Sequence, residues 1–321
     1  MKKPVSKISY IKETTQENDV ELAITLDRCN TMIKYHPGNP IGYLKRGTTL
    51  CKTGDLLAAI SDFNKVIEID PNIESVYFLR GSAKMYAEDR VGALADFNKH
   101  IRLVPDYPPA WFQRGCVKSQ MGDHQGAIDD YSKTLELDPR SDIALINRGQ
   151  DKSDMGDYAG AIADFDRAVE INPNFEGTYI NRGATKYRSK DYQGAITDYN
   201  LAIALNPGLK IAYINLAYVK SDAGDLPGAI AACNSALEID PDYVRGYYAI
   251  GVIKCQSNDF IGGIEGFDNA IELDPENDLA YMGRGMAKLS VGDRDGGYQD
   301  LKHAADMGSQ EALDFLRAEL N

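Results

Sequence analysis

Nowhere does this chain run apolar for the ~18 residues that a membrane-spanning helix requires, so membrane insertion is not expected. Cysteine is scarce and scattered. Cys29, Cys51, Cys116, Cys233 and Cys255 form no Cys-x-x-Cys pair, and an odd, dispersed set fits neither a disulfide framework nor a zinc site. A reducing compartment suits it. Cations are the minority: 35 lysines and arginines face 48 aspartates and glutamates, a formal net charge of −13. A nucleic-acid binder needs a basic footprint to displace counterions from phosphates, so nucleic acid and anionic lipid are set aside as partners. The acidity serves the solubility of a long chain and can steer basic partners.

Catalytic chemistry is missing as well. His36, His100, His124 and His303 are spread along the chain, and no His-Glu-x-x-His, Gly-x-Ser-x-Gly or P-loop pattern occurs. No enzyme activity, cofactor or metal is expected. The start, Met1-Lys2-Lys3, is basic, but no apolar segment follows it as in a signal peptide, so a cytoplasmic location is expected. Residues before about Lys7 are expected to be mobile.

What the chain does have is a period. Prolines fall at Pro37, Pro71, Pro105, Pro139, Pro173, Pro207, Pro241 and Pro275, each 34 residues after the last. With these at position 32, eight repeats begin at Pro40, and other columns keep the phase. Position 8 is glycine except for Ala217, position 16 is aspartate from Asp55 to Asp293, and position 20 is alanine or glycine. Position 4 is aromatic except for Leu145, and position 24 is aromatic except for Cys233 and Leu301.

One repeat reads as two helices. The first carries apolar residues at helical spacing and ends near a glycine such as Gly54, Gly122 or Gly156, suited to a left-handed C-cap. Aspartate at position 16 is a good N-cap for the second, which the proline at 32 terminates. Small residues at 8 and 20 let the helices cross closely, and large ones at 4 and 24 fill the space between. Such a pair buries its apolar faces only by stacking on neighbours.

These columns strongly resemble the tetratricopeptide repeat. The resemblance implies an all-α fold, a right-handed superhelical solenoid of antiparallel helix pairs with the first helices lining a concave groove. The expected organisation is a tail and degenerate capping helix over 1–39, repeats at 40–73, 74–107, 108–141, 142–175, 176–209, 210–243, 244–277 and 278–308, and a capping helix over 309–321. In that last helix Ser309 is a candidate N-cap, with Leu313, Leu316 and Leu320 facing inward.

Positions 7 and 11 depart from the family pattern. Position 7 holds Arg46, Arg80, Arg114, Arg148, Arg182 and Arg284, while position 23 holds Asp62, Asp96, Asp130, Asp164, Asp198 and Asp300. The same two repeats lack both, with Leu216 and Ala232 in one, Ile250 and Gly266 in the other. Burying one charge alone is costly, so the matched blanks predict Arg–Asp pairs between the two helices of a repeat. Lysine at position 11, from Lys84 to Lys288, is expected to be a solvated charge complementing the helix dipole.

The resemblance places positions 2, 5, 6, 9, 12 and 13 on the groove. Position 5 is apolar throughout, including Phe78, Phe112, Ile146, Ile214 and Tyr248, and reads either as core or as groove wall. Position 6 carries Lys45, Gln113, Asn147, Asn181 and Asn215. An amide offers donors and an acceptor, so the three asparagines are candidates for a ladder holding a peptide backbone. The clamp by which some family members grip a chaperone's C-terminal carboxylate needs Lys at position 5, which no repeat has. The expected function is a non-catalytic scaffold or adaptor binding another protein's extended segment or helix. The alternative is a structural subunit of an assembly, using its convex face or ends; self-association is possible but not indicated.

Overall fold

The computed structural model describes residues 16–319, with side chains from residue 20. The expected mobile start before Lys7 and the inward Leu320 lie outside these residues. Every described element is a helix: α1 (Gln16–Tyr35), α2 (Pro40–Thr53), α3 (Leu56–Ile69), α4 (Glu74–Tyr86), α5 (Arg90–Leu103), α6 (Pro108–Gln120), α7 (His124–Leu137), α8 (Asp142–Asp154) and α9 (Tyr158–Ile171). They continue as α10 (Glu176–Arg188), α11 (Tyr192–Leu205), α12 (Lys210–Asp222), α13 (Leu226–Ile239), α14 (Val244–Gln256), α15 (Phe260–Leu273), α16 (Asp278–Ser290), α17 (Arg294–Asp306) and α18 (Gln310–Glu319).

The chain divides into two compact units at Met155 and Gly156. The first holds α1 to α8 and the second α9 to α18. The division falls inside the repeat 142–175, at a glycine that fits position 15 like its counterparts, so the repeat pattern carries no sign of it. Within each unit every helix packs on the next. First helices of neighbouring repeats also touch: α2 with α4, α4 with α6 and α6 with α8 in the first unit, α10 with α12, α12 with α14 and α14 with α16 in the second.

The turn between the helices of a repeat explains two columns. The position 16 aspartate accepts the N–H three residues on, from Asp55 and Ala58 in the first repeat to Asp293 and Gly296 in the last. Position 15, just before it, is left-handed. Glycine takes that conformation in five repeats, as at Gly122 with φ 83°, while Glu88, Lys190 and Asn258 hold φ 65°, 67° and 62°. A non-glycine residue there pays for its Cβ.

The core is built from the aromatic column at position 24. Phe63, Phe97, Tyr131, Phe165, Tyr199 and Phe267 are all buried, each contributing about 2–3 kcal/mol by its transfer from water. Position 8 must be small because that ring lies on it: a Cβ added at Gly115 would sit 2.7 Å from Tyr131. Tyr77, Trp111 and Tyr179 at position 4 each tie their repeat to the one before, through the carbonyl of its proline. Tyr77 Oη donates to Pro71 O at 3.0 Å, Trp111 Nε1 to Pro105 O at 2.8 Å, and Tyr179 Oη to Pro173 O at 3.0 Å. At the C-terminal end Leu313, Phe315 and Leu316 of α18 pack on Leu301, Ala304 and Ala305. The N–H of Ala312 donates to Ser309 Oγ at the start of that helix.

Candidate peptide-binding groove

Within each unit the touching first helices carry the position 5 and 6 residues. Position 5 is not uniform. Ile146 and Ile214 are 8% and 2% exposed and belong to the core, whereas Leu44, Phe78, Phe112, Ile180, Tyr248 and Met282 are half-buried. The aromatic members share one geometry, a tilted contact with the core ring at position 24 of the same repeat. Phe78 meets Phe97 at 5.9 Å, Phe112 meets Tyr131 at 5.7 Å, and Tyr248 meets Phe267 at 5.7 Å. One face of each ring is thereby anchored while part of it remains solvent-accessible.

At position 6, Lys45 is exposed and Gln113, Asn147, Asn181 and Asn215 are half-buried. Asn147 lies in the first unit. Its Nδ2 donates to Cys116 Sγ at 3.6 Å, and burial pushes that thiol up to about 11. Asn181 and Asn215 lie on the touching helices α10 and α12 of the second unit, and their side-chain amides bond no described residue.

The arginine column turns inward between three helices. Arg46 donates through Nε and Nη2 to both carboxylate oxygens of Asp62, 16 residues ahead, and through Nη1 to Asn30, 16 residues behind. Arg80, Arg114, Arg182 and Arg284 repeat this with Asp96 and Asn64, Asp130 and Asn98, Asp198 and Asp166, and Asp300 and Asp268. Arg148, in the first unit, bonds Ser132 Oγ at 3.0 Å through the same Nη1; Asp164 lies in the second unit. The guanidinium also lies over the position 4 ring, 4.7 Å from the Trp111 centroid for Arg114.

The position 11 lysines are not simply solvated, as the dipole argument had them. Lys84, Lys118, Lys186 and Lys288 reach the position 23 aspartates Asp96, Asp130, Asp198 and Asp300 at 2.8–2.9 Å. A carboxylate gripped by an arginine and a lysine is well compensated for burial. In the repeats without that aspartate, Lys220 turns instead to its cap Asp225 at 3.4 Å and Lys254 to Glu265 at 3.8 Å.

One polar cluster escaped the repeat reading. Asp151, 2% exposed, occupies position 10, where other repeats have Thr49, Ala83, Val117, Thr185, Val219, Ile253 and Ala287. Ser119 Oγ donates to its Oδ1 at 2.8 Å, and His124 Nδ1 lies 2.8 Å from the same oxygen. Its Oδ2 is buried without a hydrogen-bond partner. Burial raises this carboxyl above its usual range, against the lowering effect of the His124 and Ser119 bonds. Serine, histidine and aspartate meet here, but not as a nucleophilic triad. The histidine would have to stand between serine and aspartate, whereas here both bond the aspartate. The mismatch in column 10 was the signal that could have found it.

Among the described residues no group of histidine, cysteine or acidic side chains has the arrangement to hold a metal ion. Nor is any helix among them long and apolar enough to cross a membrane.

Tetratricopeptide repeat family models match residues 42–73, 108–141, 143–175 and 180–244, together half of the chain. No curated protein sequence matches. Among solved structures, a tetratricopeptide repeat protein from Parabacteroides merdae aligns over 77% of this chain and 98% of its own, at 17% identity and TM-score 0.62. The C-terminal part of a TPR repeat-containing protein from Cytophaga hutchinsonii aligns over 75% and 98%, at 18% identity and TM-score 0.62. YrrB, titled a TPR protein with an unusual peptide-binding site, aligns over 58% and 96%, at 19% identity and TM-score 0.52. At such identities these likenesses concern the fold. With the family models, the helix pairs and the 34-residue columns in agreement, this chain belongs to the tetratricopeptide-repeat family, whose repeats serve in general as protein-interaction scaffolds.

Proposed function

We propose that this protein is a non-catalytic adaptor that holds an extended segment, or a helix, of another protein against the exposed faces of its first helices. The observation that carries this is the state of Asn181 and Asn215: half-buried amides on touching helices, each without a side-chain hydrogen bond among the described residues, offering donors and acceptors to a peptide backbone. Phe78, Phe112 and Tyr248, pinned on the core rings, supply firm apolar contacts for ligand side chains. The net charge of −13 speaks against nucleic acid as the partner.

The test is affinity capture from lysate of the source cell, comparing the wild type with the triple variant Asn147→Ala, Asn181→Ala, Asn215→Ala. A partner lost by a variant whose circular dichroism is unchanged supports the groove. A partner kept at full yield refutes it. The alternative, a structural part of an assembly, draws on Leu57 and Val91 in the first unit and Ile261 in the second. All three sit at position 18 of second helices and are 77%, 71% and 68% exposed. It expects a stable oligomer or fixed complex by size exclusion with light scattering, where the adaptor expects a monodisperse monomer.

A further inference from the structure

The first-helix face of the opening repeat differs from the rest of this acidic chain. Along α2, Ile41, Leu44, Lys45, Thr48 and Lys52 fall at spacings of three, four, seven and eleven residues from the first, so they share one side of the helix. Ile41, Lys45 and Lys52 are exposed; Leu44 and Thr48 are half-buried. Neither lysine forms an ion pair with a described residue. The corresponding positions of α4 and α6, from Ser75 to Tyr86 and from Pro109 to Gln120, hold no charge of either sign. At these positions, a chain with 48 acidic side chains thus offers, over three consecutive first helices, two ammonium groups and no acid. The first carboxylate at these positions is Asp154 on α8.

A shallow, open cavity of about 310 Å³ lies on this face. Leu44 and Lys45 of α2, Thr25 of α1 and Leu79 of α4 line it, with Thr48 and Thr49. Two leucines and the threonine methyls make it suitable for one large aliphatic or aromatic side chain, and Lys45 stands at its rim.

We propose that this face docks an acidic segment of a partner protein, with one large apolar side chain in the Leu44–Leu79 cavity and flanking side-chain carboxylates on Lys45 and Lys52. The proposal rests on the groove reading above and adds the chemistry of the ligand. Lys45 and Lys52 stand about 10 Å apart along the helix, at ~1.5 Å rise per residue. Carboxylates two or four residues apart lie on one side of an extended chain and stand roughly 7 or 13 Å apart at ~3.3 Å per residue, a span that two long lysine side chains bridge. The ligand's own C-terminus plays no part, since the charges addressed are side chains. Basic segments find no carboxylate at these positions of α2, α4 or α6 to receive them.

The experiment uses the full chain and three fluorescent peptides blocked at both ends. Each has one central leucine, flanked on both sides by glutamates, by lysines or by serines, and binding is read by anisotropy. The glutamate peptide should bind tightest. Lys45→Glu with Lys52→Glu should weaken it at least about tenfold and give the lysine peptide the affinity it lacked, a reversal that misfolding cannot imitate. Lys45→Arg should retain binding, and Leu79→Asp should lose it. Equal binding of the glutamate and lysine peptides, or no effect of the double reversal, overturns the proposal. If in that case the serine peptide binds and is weakened by Asn147→Ala, the groove reading stands without it. If no peptide binds at all, both fail.

Discussion

Arg182 and Asp198 meet side-on between the two helices of one repeat, Nε to Oδ2 at 2.9 Å and Nη2 to Oδ1 at 2.6 Å, and Arg182 Nη1 reaches Asp166 of the preceding repeat at 2.6 Å. Asp198 is buried, so Arg182→Leu leaves a carboxylate whose remaining cation among the described residues is Lys186. The loss should be about 3 kcal/mol. Adding Asp198→Ala should restore a good part of it. It re-creates the Leu216 and Ala232 pairing found one repeat on, and Lys186 can turn to its cap Asp191 as Lys220 turns to Asp225. Thermal midpoints decide: a double variant no more stable than the single removes the coupling.

The Nη1 arm joins repeats, a separate role. Asn98→Ala, which strips the 2.6 Å partner of Arg114 in the preceding repeat while keeping Asp130, should cost about 1 kcal/mol. A variant melting with the wild type would show that this arm contributes nothing.

Left-handed position 15 gives a prediction in the stabilising direction. Glu88→Gly and Lys190→Gly should each gain about 0.5–1 kcal/mol by relieving the Cβ, and Gly122→Ala should lose about as much. Chemical denaturation at neutral pH tests all three. Destabilised glycine variants would mean that the side chains hold these turns by other contacts.

Two buried aspartates should respond to pH in opposite senses. At Asp300 burial pushes the carboxyl up, but the bonds from Arg284 and Lys288 outweigh it and hold the group below its usual value. The unfolded chain then binds the proton first as pH falls. The stability Asp300 contributes is present above the unfolded value of ~4 and is lost as pH drops through the depressed folded value. Asp300→Asn should therefore be costly at pH 7 and progressively less so as pH falls below 4. At Asp151 burial raises the folded value, so the folded chain binds the proton first and its charge burdens the fold at higher pH. Asp151→Val, the residue of Val117 and Val219 in the same column, should stabilise at pH 8, with the gain shrinking as pH falls toward 4. Variant-minus-wild-type midpoints from pH 2 to 8 measure both, and slopes of the same sign would contradict the assignment.

Thiol chemistry follows from burial. Desolvation lifts Cys116 to about 11 and Cys233 to about 12. Both should resist a thiol reagent at pH 8 in the native state and react at once in denaturant. Fast native labelling of Cys116, read by mass spectrometry, would mean that its contact with Asn147 opens readily.

Much of this was legible from the columns alone. The proline, glycine and aspartate positions fix where helices begin and end, because capping and left-handed turns are local chemistry. The matched gaps at Leu216 and Ala232 pointed to a paired Arg and Asp. The bond from Arg46 back to Asn30 was not legible, since it links different repeats and depends on how they stack. Nor was the part of Lys84, whose long side chain bends inward to Asp96 where a dipole argument leaves it in water. Spacing alone also could not divide position 5 into buried Ile146 and Ile214 and half-exposed Phe78 and Tyr248, because that depends on how neighbours fill the space.

The most direct measurement of where a partner sits is site-specific photo-crosslinking in the source cell. A benzophenone amino acid is placed at Phe78 or Tyr248 on the first helices, and at Leu57 or Ile261 on the second. A groove-binding adaptor gives adducts to one shared partner from Phe78 and Tyr248, and none from Leu57 and Ile261. Adducts confined to Leu57 and Ile261, or formed only with a second copy of this chain, would contradict the groove and establish an assembly subunit.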